Sequence, residues 1–143
     1  MGWRKTSETV RFYATVAAGS VIGGVLRALA SLASSALWGN GFPVGTLLVN
    51  IVGSFLIGFY ATLTGPNGRV FASPLQRQFF IAGFCGGLTT FSAFSLETFT
   101  LVQGGRLAAA ALNIAISVVA WLVAVWLGHI FAVRLNRLRG SGQ

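Results

Sequence analysis

The sequence predicts an all-α membrane protein of four spanning helices, the third of them broken at its centre. Three observations carry that expectation. Hydrophobic residues make up 55% of the 143 and charged residues 8%, against about a quarter charged in a soluble domain, so too little polar surface remains to coat a globule. Four apolar runs are each long enough to cross a hydrocarbon core, which takes about 20 helical residues. The third run carries adjacent glycines, Gly86 and Gly87, near its middle, where each costs about 1 kcal/mol relative to alanine in a helix interior.

The chain reads as a single four-span domain over 1–143, with spans at about 12–37, 44–64, 78–102 and 107–133. The first span carries one charge, Arg27, and the second carries none; the third holds Glu97 and the fourth only His129. Between them lie short connectors rich in Pro and Gly, with Pro66, Asn67, Gly68 and Pro74 in the second and Gly104 and Gly105 in the third. Such residues break helices, and connectors this short make successive spans antiparallel. Arg4, Lys5 and Arg11 ahead of an apolar stretch, with Ala28-Leu29-Ala30 behind it, also fit a signal peptide. The apolar character continues past Ala30, which favours a retained span.

Ten Lys and Arg against two acids give a net charge of +8. The basic residues sit at the ends and between the apolar runs, as flanks of membrane spans do, rather than on one face tracking phosphates. No nucleic-acid partner is therefore expected. With the N-terminus inside, Arg4, Lys5, Arg11, Arg69, Arg77, Arg134, Arg137 and Arg139 fall on the cytoplasmic side and only Arg106 outside. One cysteine, one histidine and two acids exclude an intrachain disulfide, a multi-cysteine metal site and most catalytic constellations. The chain is not expected to be an enzyme.

The third span holds the densest pattern: Gly83-Phe84-Cys85-Gly86-Gly87-Leu88-Thr89-Thr90-Phe91-Ser92-Ala93-Phe94-Ser95-Leu96-Glu97. A break at the paired glycines frees backbone groups that are tolerated at membrane depth only inside protein or along a polar cavity. Thr89 and Thr90 then suit the restart as caps. Spacing supports equally a close-packing face through Gly83-x-x-x-Gly87, to which Gly19-x-x-x-Gly23 with Gly24 in the first span would correspond. Phe91 and Phe94 lie three apart, on one helical face with Ser95 and Thr98 alongside. Ring edges are electropositive, so with the neighbouring hydroxyls they could line a path for a small anion, although core packing is the commoner use of phenylalanine.

Glu97, as an ionisable group inside a span, is a functional candidate that could equally reach water or pair with an arginine. Arg27 lies deep enough to face protein or a vestibule, where it would draw anions toward a pore mouth. Asn50 forms a polar stripe with Thr46, Gly53 and Ser54, and Asn113 and Ser117 share a face of the fourth span; either stripe could line a pore or only hydrogen-bond a neighbouring helix. His129 reads as interfacial.

Gly-Gly-x-x-Arg (Gly23, Gly24, Arg27), Gly-Thr-Leu-x-Val-Asn (Gly45 to Asn50) and the long string from Gly83 to Glu97 together resemble the Fluc, or CrcB-type, fluoride channels, in order and spacing. The resemblance spans nearly the whole chain. It implies an antiparallel, dual-topology homodimer with two narrow pores in the bacterial inner membrane, exporting fluoride passively to relieve its toxicity. It also implies a structural, untransported Na⁺ on the two-fold axis, held by the main-chain carbonyls of Gly86 and Thr89. Phe91 and Phe94 would form an aromatic box, Asn50 would line the pore, Ser92 and Glu97 would join the polar route, and Asn113 and Ser117 would occupy a polar track. The chain departs from the family pattern at Ala93, where threonine is usual, and at Trp121 and Val125, on a face where hydroxyls often appear.

The chemistry fits that expectation. Fluoride is small and strongly hydrated, so its water shell must be replaced by hydroxyl, amide and ring-edge donors, and a buried cation offsets part of the cost of an anion in low dielectric. The expected partners are fluoride, membrane lipid and a second copy of the chain, or a paralogue of opposite charge bias. The alternative is a proton-coupled exporter of the small multidrug resistance type, which depends on a glutamate in the first span, where this chain has Arg27. A non-transporting membrane anchor is the third class.

Overall fold

The computed structural model describes residues 2–39, 41–66 and 68–137, with side chains from residue 6 onward. Asn67 and Arg139 lie outside the described residues, as do the side chains of Arg4 and Lys5. The order is α1 (Gly2–Trp38), α2 (Val44–Leu63), α3 (Pro74–Gln78), a π-helical segment (Phe79–Cys85), α4 (Gly86–Leu88), α5 (Phe91–Gln103) and α6 (Leu107–Arg137). Four stretches are long and apolar enough to cross a membrane: Thr6–Trp38, Val44–Leu63, Pro74–Gln103 and Leu107–Arg137. Three of them run past the apolar limits read from the sequence, because helical hydrogen bonding continues into the basic flanks.

The third span is continuous with α3, whose start is set by a capping box: Ser73 accepts from the Gln76 N–H while the Gln76 side chain accepts from the Ser73 N–H. Through the π segment the bonding widens, and the Gly86 N–H reaches the Ile81 carbonyl five residues back. Helical bonding then stops at Thr89 (φ −81°, ψ 156°) and Thr90 (φ −152°, ψ 127°), both extended, before α5 begins. The interruption therefore lies three residues beyond the paired glycines, where the sequence placed it; Gly86 itself is helical (φ −64°, ψ −33°).

Packing explains the difference. A Cβ on Gly83 would lie 2.7 Å from the Val16 carbonyl oxygen and one on Gly87 2.5 Å from that of Ser20; on the facing helix, Gly19 and Gly23 would meet the Phe79 and Phe84 carbonyls at 2.4 and 2.1 Å. The two small-x-x-x-small motifs interlock backbone to backbone, so these glycines serve close approach rather than unwinding. Gly24 meets nothing within 4 Å and does not share this face. A second interlock joins α2 to α6, with Gly58 on the Val125 carbonyl and Gly128 on that of Phe55, both at 2.2 Å from a would-be Cβ.

At the basic end the elements are tied by polar contacts. Arg77 Nη1 donates to the Thr64 carbonyl at 2.9 Å, which caps the end of α2. Asn136 Oδ1 accepts from the Arg69 N–H at 2.8 Å, and its Nδ2 donates to the Thr62 carbonyl at 3.3 Å. His129 Nδ1 lies 2.8 Å from Thr62 Oγ1.

Candidate ion pathway

The pathway is built around the two extended residues of the third span. A backbone that leaves the helix inside a membrane must find partners within the protein or along a polar cavity, because lipid cannot supply them. Asn50, buried on α2, does so for Thr90: its Nδ2 donates to the Thr90 carbonyl at 2.9 Å and its Oδ1 accepts from the Thr90 N–H at 2.7 Å. Gly53 makes room one turn on, since a Cβ there would fall 2.2 Å from Thr89 Cγ2. Thr90 Oγ1 then accepts from the Ala93 N–H at 3.1 Å and caps α5. Thr89 does not share that role; its hydroxyl donates back to the Cys85 carbonyl at 3.0 Å.

These substitutions withdraw the helical donors of two of the carbonyls at the break, Gly86 and Thr89. The N–H that would bond Gly86, on Thr90, is taken by Asn50, and the N–H that would bond Thr89, on Ala93, is taken by Thr90 Oγ1. Neutral carbonyl oxygens freed in this way suit a hard cation. Among the described residues no group of three His, Cys, Asp or Glu could hold a metal, so backbone and hydroxyl oxygens are the donors on offer.

Beside the break a crevice of about 400 Å³ is walled by Asn50, Ser54, Thr89, Thr90, Phe91 and Trp121, with Gly86 and Ile57, and contains no carboxylate. The two phenylalanines differ in setting although they share a face. Phe91 is 72% exposed within the single chain, whereas Phe94 is 7% exposed. Phe94 lies 5.5 Å from Phe91 and packs T-shaped against Trp121, centroids 5.0 Å apart and planes at 74°. Ser92, exposed, lies 3.2 Å from Thr90 through the two hydroxyl oxygens.

A second cavity of about 470 Å³ lies toward the opposite end of α2, with Ser31, Ser34, Thr46, Glu97, Thr100 and Arg106 among its walls. Glu97 takes a hydroxyl as its partner: Thr46 donates to its Oε1 at 2.7 Å. Thr46, Asn50 and Ser54 thus run as one polar line along α2 from this cavity to the crevice at the break. The serines of α1 were not singled out in the sequence, although Ser31, Ser34 and Ser35 recur at helical spacing.

The remaining candidates lie behind these walls. Asn113 and Ser117 are each 1% exposed; Asn113 Nδ2 donates to Thr98 Oγ1 at 2.9 Å and its Oδ1 accepts from the Ser117 hydroxyl at 3.4 Å, while Thr98 donates to the Phe94 carbonyl at 2.7 Å. They support the helix that carries Phe94 and are not among the walls of either cavity. Arg27 Nε donates to the Gly87 carbonyl at 3.1 Å, so it ties α1 to the end of the first half-span.

Residues 14–129 match the family model described as CrcB-like protein, Camphor Resistance (CrcB). The chain belongs to the CrcB-like family. A Rhodopseudomonas palustris protein named Fluoride-specific ion channel FluC 1 is 59% identical over 134 residues, covering 94% of this chain and 95% of the relative. A Bradyrhizobium diazoefficiens protein of the same name is 58% identical over 139 residues, covering 97% and 94%. A Rhodospirillum rubrum Fluoride-specific ion channel FluC is 54% identical over 125 residues, covering 87% and 96%. The CrcB-like family is thus one of ion channels rather than enzymes, and with four apolar helices this member is a multi-pass membrane protein.

Proposed function

We propose that the chain conducts fluoride passively across a bacterial membrane and exports it when it accumulates inside. The observation that carries this reading is the crevice at the break, whose polar groups are neutral: the Asn50 amide and the hydroxyls of Ser54, Thr89 and Thr90, with the Phe91 ring beside them. A dehydrated anion needs donors that do not bring a countercharge of their own, and electropositive ring edges extend the set. The names of the relatives agree with this chemistry.

The freed carbonyls of Gly86 and Thr89 would hold a Na⁺. When bound, such a cation supplies a fixed positive charge that favours an anion in low dielectric, and this chain's residues contribute the oxygen ligands, with Asn50 holding the helical donor of Gly86 and the Thr90 hydroxyl holding that of Thr89. An antiparallel pair of chains fits the faces that a single chain leaves open, Phe91 at 72% exposure and Gly24 with nothing within 4 Å. Asn50, Phe91, Phe94 and Ser92 would then border the conduction route, with Thr46 and Glu97 at its wider mouth and Asn113 and Ser117 setting the helix that carries Phe94. A proton-coupled exporter is not favoured, because the apolar part of α1 carries Arg27 and no acid.

The test is fluoride efflux from liposomes loaded with potassium fluoride, read with a fluoride electrode at equal pH on both sides. Rapid release on addition of a potassium ionophore, with chloride-loaded vesicles silent, is the expected result. Release that requires an imposed proton gradient contradicts it.

A further inference from the structure

At the basic end of the chain an open groove of about 400 Å³ runs between α1, α2 and the start of the third span. Thr15, Tyr60, Phe71, Leu75, Phe79 and Phe80 are among its walls, so its lining is mainly aromatic and aliphatic. Tyr60 and Phe80 pack together there, with ring centroids 4.2 Å apart. The connector beside the groove turns apolar side chains outward, Phe71 at 96% exposure and Val70 at 43%. In a connector that joins two membrane spans, such residues sit at the lipid boundary rather than in water.

The rim of this groove is cationic. Arg77 follows Gln76 of the wall and holds its guanidinium at the end of α2, where Nη1 donates to the Thr64 carbonyl at 2.9 Å. That carbonyl lies one turn past Tyr60, since the Thr64 N–H donates to the Tyr60 carbonyl at 3.0 Å. A guanidinium has five N–H donors, and Thr64 is the only hydrogen-bond partner of this one among the described residues. Arg11 is exposed and lies one turn outward from Thr15, whose hydroxyl donates to the Arg11 carbonyl at 2.7 Å. Arg69 precedes Val70, and α6 brings Arg134 and Arg137 to the same end, where Asn136 accepts from the Arg69 N–H. Glu8 is the one acid on this side, because Glu97 lines the cavity at the other end of α2. Arginine stems lie along apolar surface while their heads reach a charged group, and basic pockets between spans on the cytoplasmic side hold anionic head groups.

We propose that this groove binds an anionic phospholipid, with an acyl chain along Tyr60, Phe79 and Phe80 and the phosphate between Arg11 and Arg77. A zwitterionic lipid offers the same chain and phosphate, but its ammonium cancels the charge that the arginines attract. The groove shares no wall residue with the crevice at the break or with the cavity at Glu97. The proposal therefore stands apart from the identity of the conducted ion.

The experiment is native mass spectrometry of the purified full chain, delipidated and then titrated with phosphatidylglycerol or with phosphatidylcholine of the same acyl chains. Phosphatidylglycerol should stay bound at concentrations about fivefold or more below those that phosphatidylcholine needs, and should raise the thermal midpoint as a ligand of the folded state does. Arg11→Gln should weaken phosphatidylglycerol about fivefold, the contribution of one arginine near a membrane surface, and leave phosphatidylcholine unchanged. Thr15→Phe, which puts a ring into the groove, should weaken both lipids; where that variant does not fold, Ala72→Leu on the connector wall makes the same test. Equal retention of the two lipids by the parent, or parental phosphatidylglycerol binding in Arg11→Gln and in the groove-filling variant, overturns the proposal. So does an assembled protein that retains neither lipid, the result expected where a second copy of the chain covers the groove.

Discussion

Asn50 holds both backbone groups of Thr90 with one side chain, donating to its carbonyl at 2.9 Å and accepting from its N–H at 2.7 Å. The two residues are 40 positions apart, on α2 and at the break of the third span. A side-chain amide thus stands where a neighbouring peptide would stand in a helix, and the extended conformation persists because its polar groups lose nothing by leaving the helix. Removing the amide strands two buried groups, each worth about 1–3 kcal/mol. Asn50→Ala is therefore expected to lower stability by about 2–6 kcal/mol and to abolish fluoride release, read by thermal unfolding in micelles and by efflux. Parental stability would mean that the bracket is dispensable.

The interlock between α1 and the third span gives a contrast within one motif. Gly23→Ala drives a methyl to 2.1 Å from the Phe84 carbonyl oxygen, whereas Gly24→Ala enters open space. Overpacking costs about 1–3 kcal/mol, so Gly23→Ala should unfold at a lower temperature while Gly24→Ala keeps the parental fold of the single chain. Equal behaviour of the two variants in thermal unfolding would remove the interlock from the account.

Thr46 satisfies one oxygen of Glu97 inside the larger cavity. Thr46→Val leaves that oxygen without its donor and should cost about 1–3 kcal/mol, whereas Thr46→Ser retains the hydroxyl and should recover most of the loss. A valine variant as stable as the serine variant would show that Glu97 draws its support from elsewhere.

The two phenylalanines separate conduction from packing. Phe91, exposed within the chain, should tolerate Phe91→Ile with little change in thermal midpoint but a fall in fluoride flux of about tenfold or more. Phe94, buried against Trp121, should lose stability as well as flux in Phe94→Ile. Parental flux in both variants would return the rings to packing alone.

Orientation is testable because the one native thiol, Cys85, is fully buried. A cysteine placed at Gly104, in the connector before α6, then reports alone to a membrane-impermeant thiol reagent. An antiparallel homodimer labels about half of the molecules from outside. Labelling of all or none would mean a single orientation, as the excess of arginine at one end favours, and would require a partner chain of opposite bias.

Much of this architecture is legible in the residues. Spans follow from apolar length, which the membrane thickness alone demands, and the Thr90 cap follows from a hydroxyl at a helix start. The site of the break was misplaced by three residues because glycine at membrane depth signals close packing and unwinding alike, and only the facing carbonyls of Val16 and Ser20 distinguish them. Spacing set Phe91 and Phe94 on one face without showing that α6 covers only Phe94. The pairing of Asn50 with Thr90 is invisible to periodicity, since it joins residues on different helices. Trp121 stood out only as a departure from a hydroxyl pattern, because spacing does not show its ring against Phe94.

The central claim, passive conduction of fluoride through neutral donors, is tested most directly by the reversal potential of the purified protein in a planar bilayer. With a tenfold fluoride gradient, equal pH, and chloride balancing the anions, the current should reverse at the fluoride equilibrium potential, about 59 mV per decade. Reversal at the chloride or cation potential, or a reversal that moves with an imposed pH gradient, would contradict the account.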